Sequence, residues 1–289
     1  MRIARTLAEL AAARVGLDAP IGLVPTMGAL HDGHLALAAA ARRECGSVVA
    51  SIFVNPLQFA PAEDLSRYPR DEAGDLDKLR DAGCALAWLP SVATMYPPGD
   101  ATQIVPAGPA LGWEGAQRPG HFRGVATVVA KLFGQVGPQR AFFGEKDWQQ
   151  LQVVRRMVAD LCLPVEVVGV ATQRDADGLA LSSRNRFLSE AERRVAPLLP
   201  ATLRRAAAEI AALAGGPERQ ADAAGPALAR AREGLAAAGF GVDYLALVEP
   251  DSLRDACDPA AVPGGGLRLI VAARLGSVRL LDNVGVPAA

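Results

Sequence analysis

The chain has no surplus of charge. Its 30 lysines and arginines stand against 31 aspartates and glutamates, a net charge of -1. Without a basic excess there is no broad footprint for a polyanion, so nucleic acid is a poor default partner, although a small local anion site stays open. Long apolar runs are also missing. The stretch 1–16 is interrupted by Arg2, Arg5, Glu9 and Arg14, which denies it a signal-peptide core, and a run such as 35–41 is far too short to span a bilayer. The expectation is a cytoplasmic protein with no membrane partner. The four cysteines, Cys45, Cys84, Cys162 and Cys257, form no C-x-x-C pair and read as small buried residues in a reducing compartment. Together with the three histidines they show no zinc-finger spacing. Also absent are G-x-G-x-x-G and G-x-x-x-x-G-K-[ST], which excludes a standard dinucleotide fingerprint and a P-loop. With no G-x-S-x-G and no Cys paired with His in sequence, no side chain presents itself as a covalent nucleophile.

What the chain does have is length and apolar content: 289 residues, 51% hydrophobic, enough to bury a sizeable core in one large or two modest domains. Short β-branched or apolar runs at 21–24, 47–54, 85–89, 140–143 and 165–170 read as buried strands. Helical patterns at 35–43, 71–82, 125–133 and 148–161 alternate with them. Strands separated by helices imply parallel pairing through crossovers, hence a Rossmann-like, doubly wound α/β domain over 1–175. Beyond it the character changes. Ala-rich helical patterns at 190–214 and 226–238, the first broken at Pro197 and Pro200, are separated by a loop at 215–225, with Pro226 suited to a first helical position. Strand patterns at 243–248, 267–273 and 278–281 follow, the last two forming a hairpin after a loop at 259–266. This predicts a smaller α+β domain over 176–289.

Four segments carry chemistry. The first, Val24-Pro25-Thr26-Met27-Gly28-Ala29-Leu30-His31-Asp32-Gly33-His34, leads from a buried strand into a helix, with Asp32 as a plausible N-cap. Such a turn directs backbone N–H groups and a helix dipole at one point, a natural anion site, and two imidazoles in H-x-G-H spacing add donors there. The second, Phe142-Phe143-Gly144-Glu145-Lys146-Asp147-Trp148-Gln149-Gln150, lies where another strand ends, and ligands bind at the carboxyl ends of parallel strands. Lys146 could neutralise phosphate there and Asp147 could accept from ribose. The third, Gly178 to Arg186, sets Ser182 and Ser183 beside Arg184, a clamp suited to polyphosphate. It falls just past the domain change, from where the second domain could close over the site like a lid. The fourth, Phe53-Val54-Asn55-Pro56-Leu57-Gln58-Phe59, could orient a small polar substrate through Gln58 in an apolar pocket. Each has a plainer reading as a cap, a solvated charge cluster or an ordinary loop. Together they are compatible with adenylyl transfer, which works through positioned donors without a protein nucleophile.

The H-x-G-H turn resembles the HIGH motif of the nucleotidyltransferases, and Ser182-Ser183-Arg184 resembles their KMSKS loop. With Phe53 to Phe59, Tyr68-Pro69-Arg70, His121-Phe122-Arg123-Gly124-Val125, Phe142 to Gln150 and Asp177 to Asn185, in that order, the chain resembles the pantothenate synthetase (pantoate–β-alanine ligase) family over its first two-thirds. That resemblance implies a two-step reaction of ATP, pantoate and β-alanine through a pantoyl-adenylate, assisted by Mg²⁺, in a homodimer. It implies that Met27, Gly28, Ala29, Leu30, His31, Asp32, Gly33 and His34 line the ATP site with Gly144, Glu145, Lys146, Asp147, Gln173, Leu181, Ser182, Ser183 and Arg184. His34, His31, Lys146 and Arg184 would serve catalysis, and Gln58, Gln150, Asn55 and His121 would bind the other substrates. Three positions depart from the family pattern. Leu181 stands where methionine is usual, and Gln173 where valine often packs near adenine. Gly74 falls where some members carry an acidic residue close to the metal, which leaves Asp75 as the metal candidate. Rival readings remain: another HIGH-type adenylyltransferase acting on a phosphorylated small molecule, a nucleotide sensor without catalysis, or a fragment of a tRNA synthetase, against which the balanced charge argues.

Overall fold

Strands that are apolar on both faces need cover on both faces, and that requirement organises the first half of the chain. The structure, a computed structural model, describes residues 1–59, 69–213, 217–257 and 266–287. Tyr68 and nearly all of the loop expected at 259–266 lie outside the described residues. The order is β1 (Arg2–Ala4), α1 (Leu7–Arg14), β2 (Ile21–Thr26), α2 (Asp32–Glu44), β3 (Ser47–Ile52), α3 (Glu72–Asp81), β4 (Leu86–Trp88), α4 (Val92–Met95), α5 (Trp113–Gln117), α6 (His121–Val136), β5 (Arg140–Gly144), α7 (Trp148–Asp160) and β6 (Glu166–Val170). The six strands form one sheet in the order β1-β4-β3-β2-β5-β6, every pair parallel. Strand order reverses at β2, with β3 and β4 on one side and β5 and β6 on the other, the arrangement whose crevice takes ligands in open α/β sheets. The doubly wound α/β reading therefore holds. On one face of the sheet Val24, Val48, Ala50 and Phe142 pack against Leu37, Ala38 and Ala41 of α2 and Leu79 of α3.

The chain divides into two compact units, Met1–Glu145 with Gln150–Thr172, and Lys146–Gln149 with Gln173–Ala289. The second unit contains α8 (Glu190–Val195), α9 (Leu198–Ala211), α10 (Pro217–Ala223), α11 (Gly225–Ala237) and an antiparallel sheet β7 (Phe240–Val248), β8 (Leu267–Leu275), β9 (Val278–Val286). Its core joins Leu199, Leu203 and Ile210 of α9 and Leu235 of α11 to Leu245, Leu269 and Val271 of the sheet. The expected hairpin is present, turning at Gly276 in the left-handed region, φ 56°. Pro197 does end the first helical piece, but Pro200 does not break the second. It sits in the first turn of α9, where its missing N–H would be unpaired in any case. The stretch expected as a loop at 215–225 contains the short helix α10. No described helix is long and apolar enough to cross a membrane.

Candidate active site

β2 ends at Thr26 and the chain turns sharply before α2. Gly28 and Ala29 both take positive φ, 82° and 52°. Asp32 is not the N-cap. That position belongs to His31, whose Nδ1 accepts the Gly33 N–H at 3.1 Å, while His34 Nδ1 accepts the His31 N–H at 3.4 Å. The correction has a chemical consequence. A ring nitrogen that accepts a backbone N–H carries no proton, so this network assigns both neutral imidazoles the Nε2–H tautomer. The two rings lie 4.2 Å apart and are partly exposed. Three of the backbone N–H groups expected to meet an anion are already engaged. Gly28 N–H meets Thr26 Oγ1 at 3.2 Å, and Ala29 and Leu30 N–H each meet a carboxylate oxygen of Asp75 at 2.7 Å. With those three engaged, the imidazole Nε2–H groups and the N-terminus of α2 are the donors this turn brings to a ligand.

At the end of β3, Asn55 and Gln58 sit together. Asn55 is 1% exposed and has both polar atoms of its side chain satisfied. Its Oδ1 accepts from Leu57 N–H (3.2 Å) and Tyr96 O–H (2.8 Å), and its Nδ2 donates to Gly124 O (3.1 Å) and Gln58 Oε1 (3.0 Å). The backbone partners fix which end of the Asn55 amide is which. Asn55 in turn fixes Gln58, whose Nε2 is directed at Met27 Sδ, 3.1 Å away. Burial pushes the Tyr96 phenol well above its usual range, with Asp100 adding to the effect, so its hydroxyl stays protonated as the donor. His121 is also buried, and its Nδ1 lies 2.9 Å from Gln58 O. A carbonyl can only accept, so His121 carries its proton on Nδ1 and offers Nε2 to Arg118 Nη1 at 3.2 Å. Arg118 Nη2 reaches the same carbonyl at 3.3 Å, while its Nη1 pairs with buried Glu114 at 3.6 Å. Asn55 and His121, expected at the substrate, thus act in this structure on Gln58, one on its side chain and one on its backbone. Neither Glu114, Arg118 nor Tyr96 was singled out in the sequence, and no short motif marks them. Gln150, on the first turn of α7, is half-buried.

In the second unit Lys146, Ser182, Arg184 and Asn185 line one small pocket together with Arg279 and Asp282 of β9. Lys146 is brought there by its own backbone, whose carbonyl accepts from Asn283 Nδ2 at 2.9 Å. Next in sequence, Trp148 donates from Nε1 to Pro250 O at 2.7 Å and lies under the Arg268 guanidinium, 3.4 Å from the ring centre. Asp282 is buried and bound bidentately by Arg174 at 2.7 and 2.8 Å. That hydrogen-bonded pairing raises the Arg174 pKa against the cost of its burial. Arg279 pairs with Asp243 at 2.6 Å. Ser182 caps a short 3-10 helix by accepting Arg184 N–H at 3.3 Å. Sequence reading missed Arg279 and Asp282, which reach the pocket only through the hairpin. Gln173 is exposed, and its carbonyl accepts Leu181 N–H at 2.9 Å. Ser183 opens the 3-10 helix without lining the pocket.

The family model for pantoate–β-alanine ligase matches residues 2–285. The chain belongs to the pantoate–β-alanine ligase family. It is 59% identical to the pantothenate synthetase of Granulibacter bethesdensis, over 99% of this chain and 97% of that one, and 56% identical to that of Acidiphilium cryptum, over 99% and 100%. Among solved structures it matches the pantothenate synthetase of Thermus thermophilus with a TM-score of 0.88, 53% identity and 99% coverage of both chains. It also matches the pantoate–β-alanine ligase of Francisella tularensis, complexed with β-γ ATP and β-alanine, with a TM-score of 0.80, 30% identity, and 100% and 99% coverage. The match extends to residue 285, well past Asn185, where the motifs that carried the resemblance end. The chain is thus an enzyme of this family, with its six-stranded parallel sheet and small antiparallel sheet.

Proposed function

We propose that this ligase condenses pantoate with β-alanine at the expense of ATP through a pantoyl-adenylate. A pantoate carboxylate oxygen attacks the α-phosphorus of ATP, the bridging P–O bond breaks and pyrophosphate leaves. The β-alanine amine then attacks the acyl carbon, the acyl–phosphate C–O bond breaks, AMP leaves and the nitrogen loses a proton. The observation that carries this reading is the pair of part-exposed imidazoles whose Nδ1 atoms face backbone N–H groups. Both Nε2–H groups are then donors to negative charge developing on phosphate, preorganised rather than recruited. Lys146, Ser182 and Arg184 carry the β- and γ-phosphates and the departing pyrophosphate, with Arg supplying a planar fork and Lys a point charge. Gln58 and Gln150 hold pantoate. The orientation imposed by Asn55 makes Gln58 a donor through Nε2, suited to the oxygen-rich hydroxy acid.

Mg²⁺ in such sites usually takes one or two carboxylates along with substrate phosphates. Among the described residues no group of three His, Cys, Asp or Glu side chains could hold it on protein ligands alone. Asp75, the expected ligand, has each oxygen on a backbone N–H. These residues fit an ion carried by the ATP phosphates rather than a protein-built cage, and its contribution is to neutralise phosphate charge. None of the residue roles above depends on it.

The test is AMP release from ATP and Mg²⁺ with pantoate and β-alanine together and each omitted in turn, alongside ATP–pyrophosphate exchange with pantoate alone. AMP requiring both acceptors, and exchange requiring only pantoate, support the adenylate route. Binding of ATP with neither activity would favour a nucleotide sensor, and a dinucleotide-like product another adenylyltransferase. His34→Ala should fold normally and lose roughly 10²–10³ in kcat, the usual loss for one transition-state donor; undiminished turnover would remove His34 from the chemistry.

A further inference from the structure

The turn that presents the two histidines is gripped from one side by a single helix. Asp75 lies near the start of α3, 1% exposed, and its two oxygens take the consecutive N–H groups of Ala29 and Leu30 at 2.7 Å each. Consecutive N–H groups converging on one point form a nest for an anion, and here the anion belongs to the chain. Two features of the turn follow. Gly28, at φ 82°, leaves the carboxylate room: a Cβ there would lie 2.9 Å from Asp75 Oδ2. Ala29 holds φ 52°, a conformation L residues rarely adopt, and persists in it because its N–H is fixed. Three residues further along α3, on the same face, Lys78 Nζ donates to Leu30 O at 2.9 Å. That carbonyl and the His31 N–H belong to one planar peptide unit, and the His31 N–H is the group accepted by His34 Nδ1. The tilt of that plane therefore sets which nitrogen of His34 is the acceptor and which way its Nε2–H points.

We propose that Asp75, with Lys78, is the positioning residue of the histidine turn, acting on the reaction through His34 by filling the backbone anion nest and orienting the Leu30–His31 peptide. The proposal rests on the function argued above and gives Asp75 a role other than metal ligand. Since it acts through His34, its effect must vanish when His34 is gone.

The experiment uses the full chain with Asp75→Asn, Lys78→Met, His34→Ala and the doubles of each with His34→Ala. An amide at position 75 faces one of the two backbone donors with its own NH₂ group. In wild-type background Asp75→Asn should lower kcat about tenfold or more, since a buried donor left unpaired is worth that much. Raising Mg²⁺ should not restore it. In the His34→Ala background the added loss should be less than about twofold. Independently of turnover, the Ala29 and Leu30 amide resonances and the His34 ring signals in ¹⁵N NMR should move together in Asp75→Asn. If that variant fails to fold, Lys78→Met leaves the carboxylate in place, breaks only the Leu30 carbonyl contact, and should show a smaller loss with the same non-additivity. An undiminished kcat, full additivity with His34→Ala, restoration by Mg²⁺, or a His34 ring unmoved while the Ala29 and Leu30 amides shift would each overturn the proposal. A wild-type chain inactive with pantoate and β-alanine, with the coupled NMR shifts still seen in Asp75→Asn, would instead overturn the functional reading and leave the positioning role standing.

Discussion

Asn55 has two acceptor sites and two donors in use, and all four partners lie within the chain. Asn55→Asp keeps the shape and removes both donors. Gly124 O loses its partner, and Gln58 can satisfy the new carboxylate only by turning its amide over, which presents Oε1 where Nε2 had been. The expected result is a KM for pantoate raised at least about fivefold, the lower range for one unpaired buried polar group, with the KM for ATP unchanged. Steady-state kinetics with each substrate varied separately decides it, and equal changes in both constants would mean general damage instead. Such roles define what was legible at single positions. His31, His34, Lys146 and Arg184 stand in motifs whose spacing marks them as candidates, and the structure keeps the two histidines side by side and Lys146 with Arg184 in one pocket. Tyr96, Arg118 and Glu114 act on Gln58 from 38 to 60 positions away, and no local pattern encodes a partner at that distance. His31 rather than Asp32 became the cap because the ring can accept a backbone N–H as a carboxylate does, a use of imidazole that propensity alone does not suggest.

α6 shows what an element contributes to the site. It is capped by Gly120 before it and Gly137 after it, both in the left-handed region, and Gly124 lies against the turn that carries Gln58. A Cβ on Gly124 would stand 2.6 Å from Gln58 N and overlap Leu57 O. Gly134, on the same helix, is exposed, and a Cβ there meets nothing within 4 Å. The two alanine substitutions should therefore differ in sign. Gly134→Ala gains about 0.5–1 kcal/mol of helix stability. Gly124→Ala meets backbone that cannot rotate aside and is overpacked by about 1–3 kcal/mol, and it should also raise the KM for pantoate by displacing Gln58. Thermal melts of the pair, run beside the kinetics, test both. Matching Tm shifts would show that the 57–58 backbone yields freely. Elements with strong periodicity, such as α2 and α7, were legible from sequence. β1 is three residues long and is recognisable only by its pairing with β4, and α1 declares itself by the Thr6–Glu9 capping box rather than by an apolar stripe. Short α10 was read as a loop because Pro and Gly flank it and seven residues are too few to show a period.

For the chain as a whole, the balanced charge leaves any affinity for ATP to placed groups rather than to a general field. That makes the phosphate contribution separable by melting temperature. A ligand that binds only the folded state at about 100 times its Kd adds about 2.7 kcal/mol. For a chain of 289 residues this is a rise of several degrees, since domains approaching this size move roughly 2–4 °C per kcal/mol. Adenosine lacks the phosphates, so at the same concentration its shift should be smaller by whatever Lys146, Ser182 and Arg184 contribute. Lys146→Ala removes a side chain whose amino group lies 3.6 Å from Asp147 and which lines the pocket beside Ser182 and Arg184. In that variant the ATP shift should fall toward the adenosine shift, while the adenosine shift and the ligand-free Tm stay close to wild type. If instead the ligand-free Tm drops and the gap between ATP and adenosine persists, Lys146 supports the second unit's packing through its neighbours, and phosphate binding rests on Arg184 and Ser182 alone.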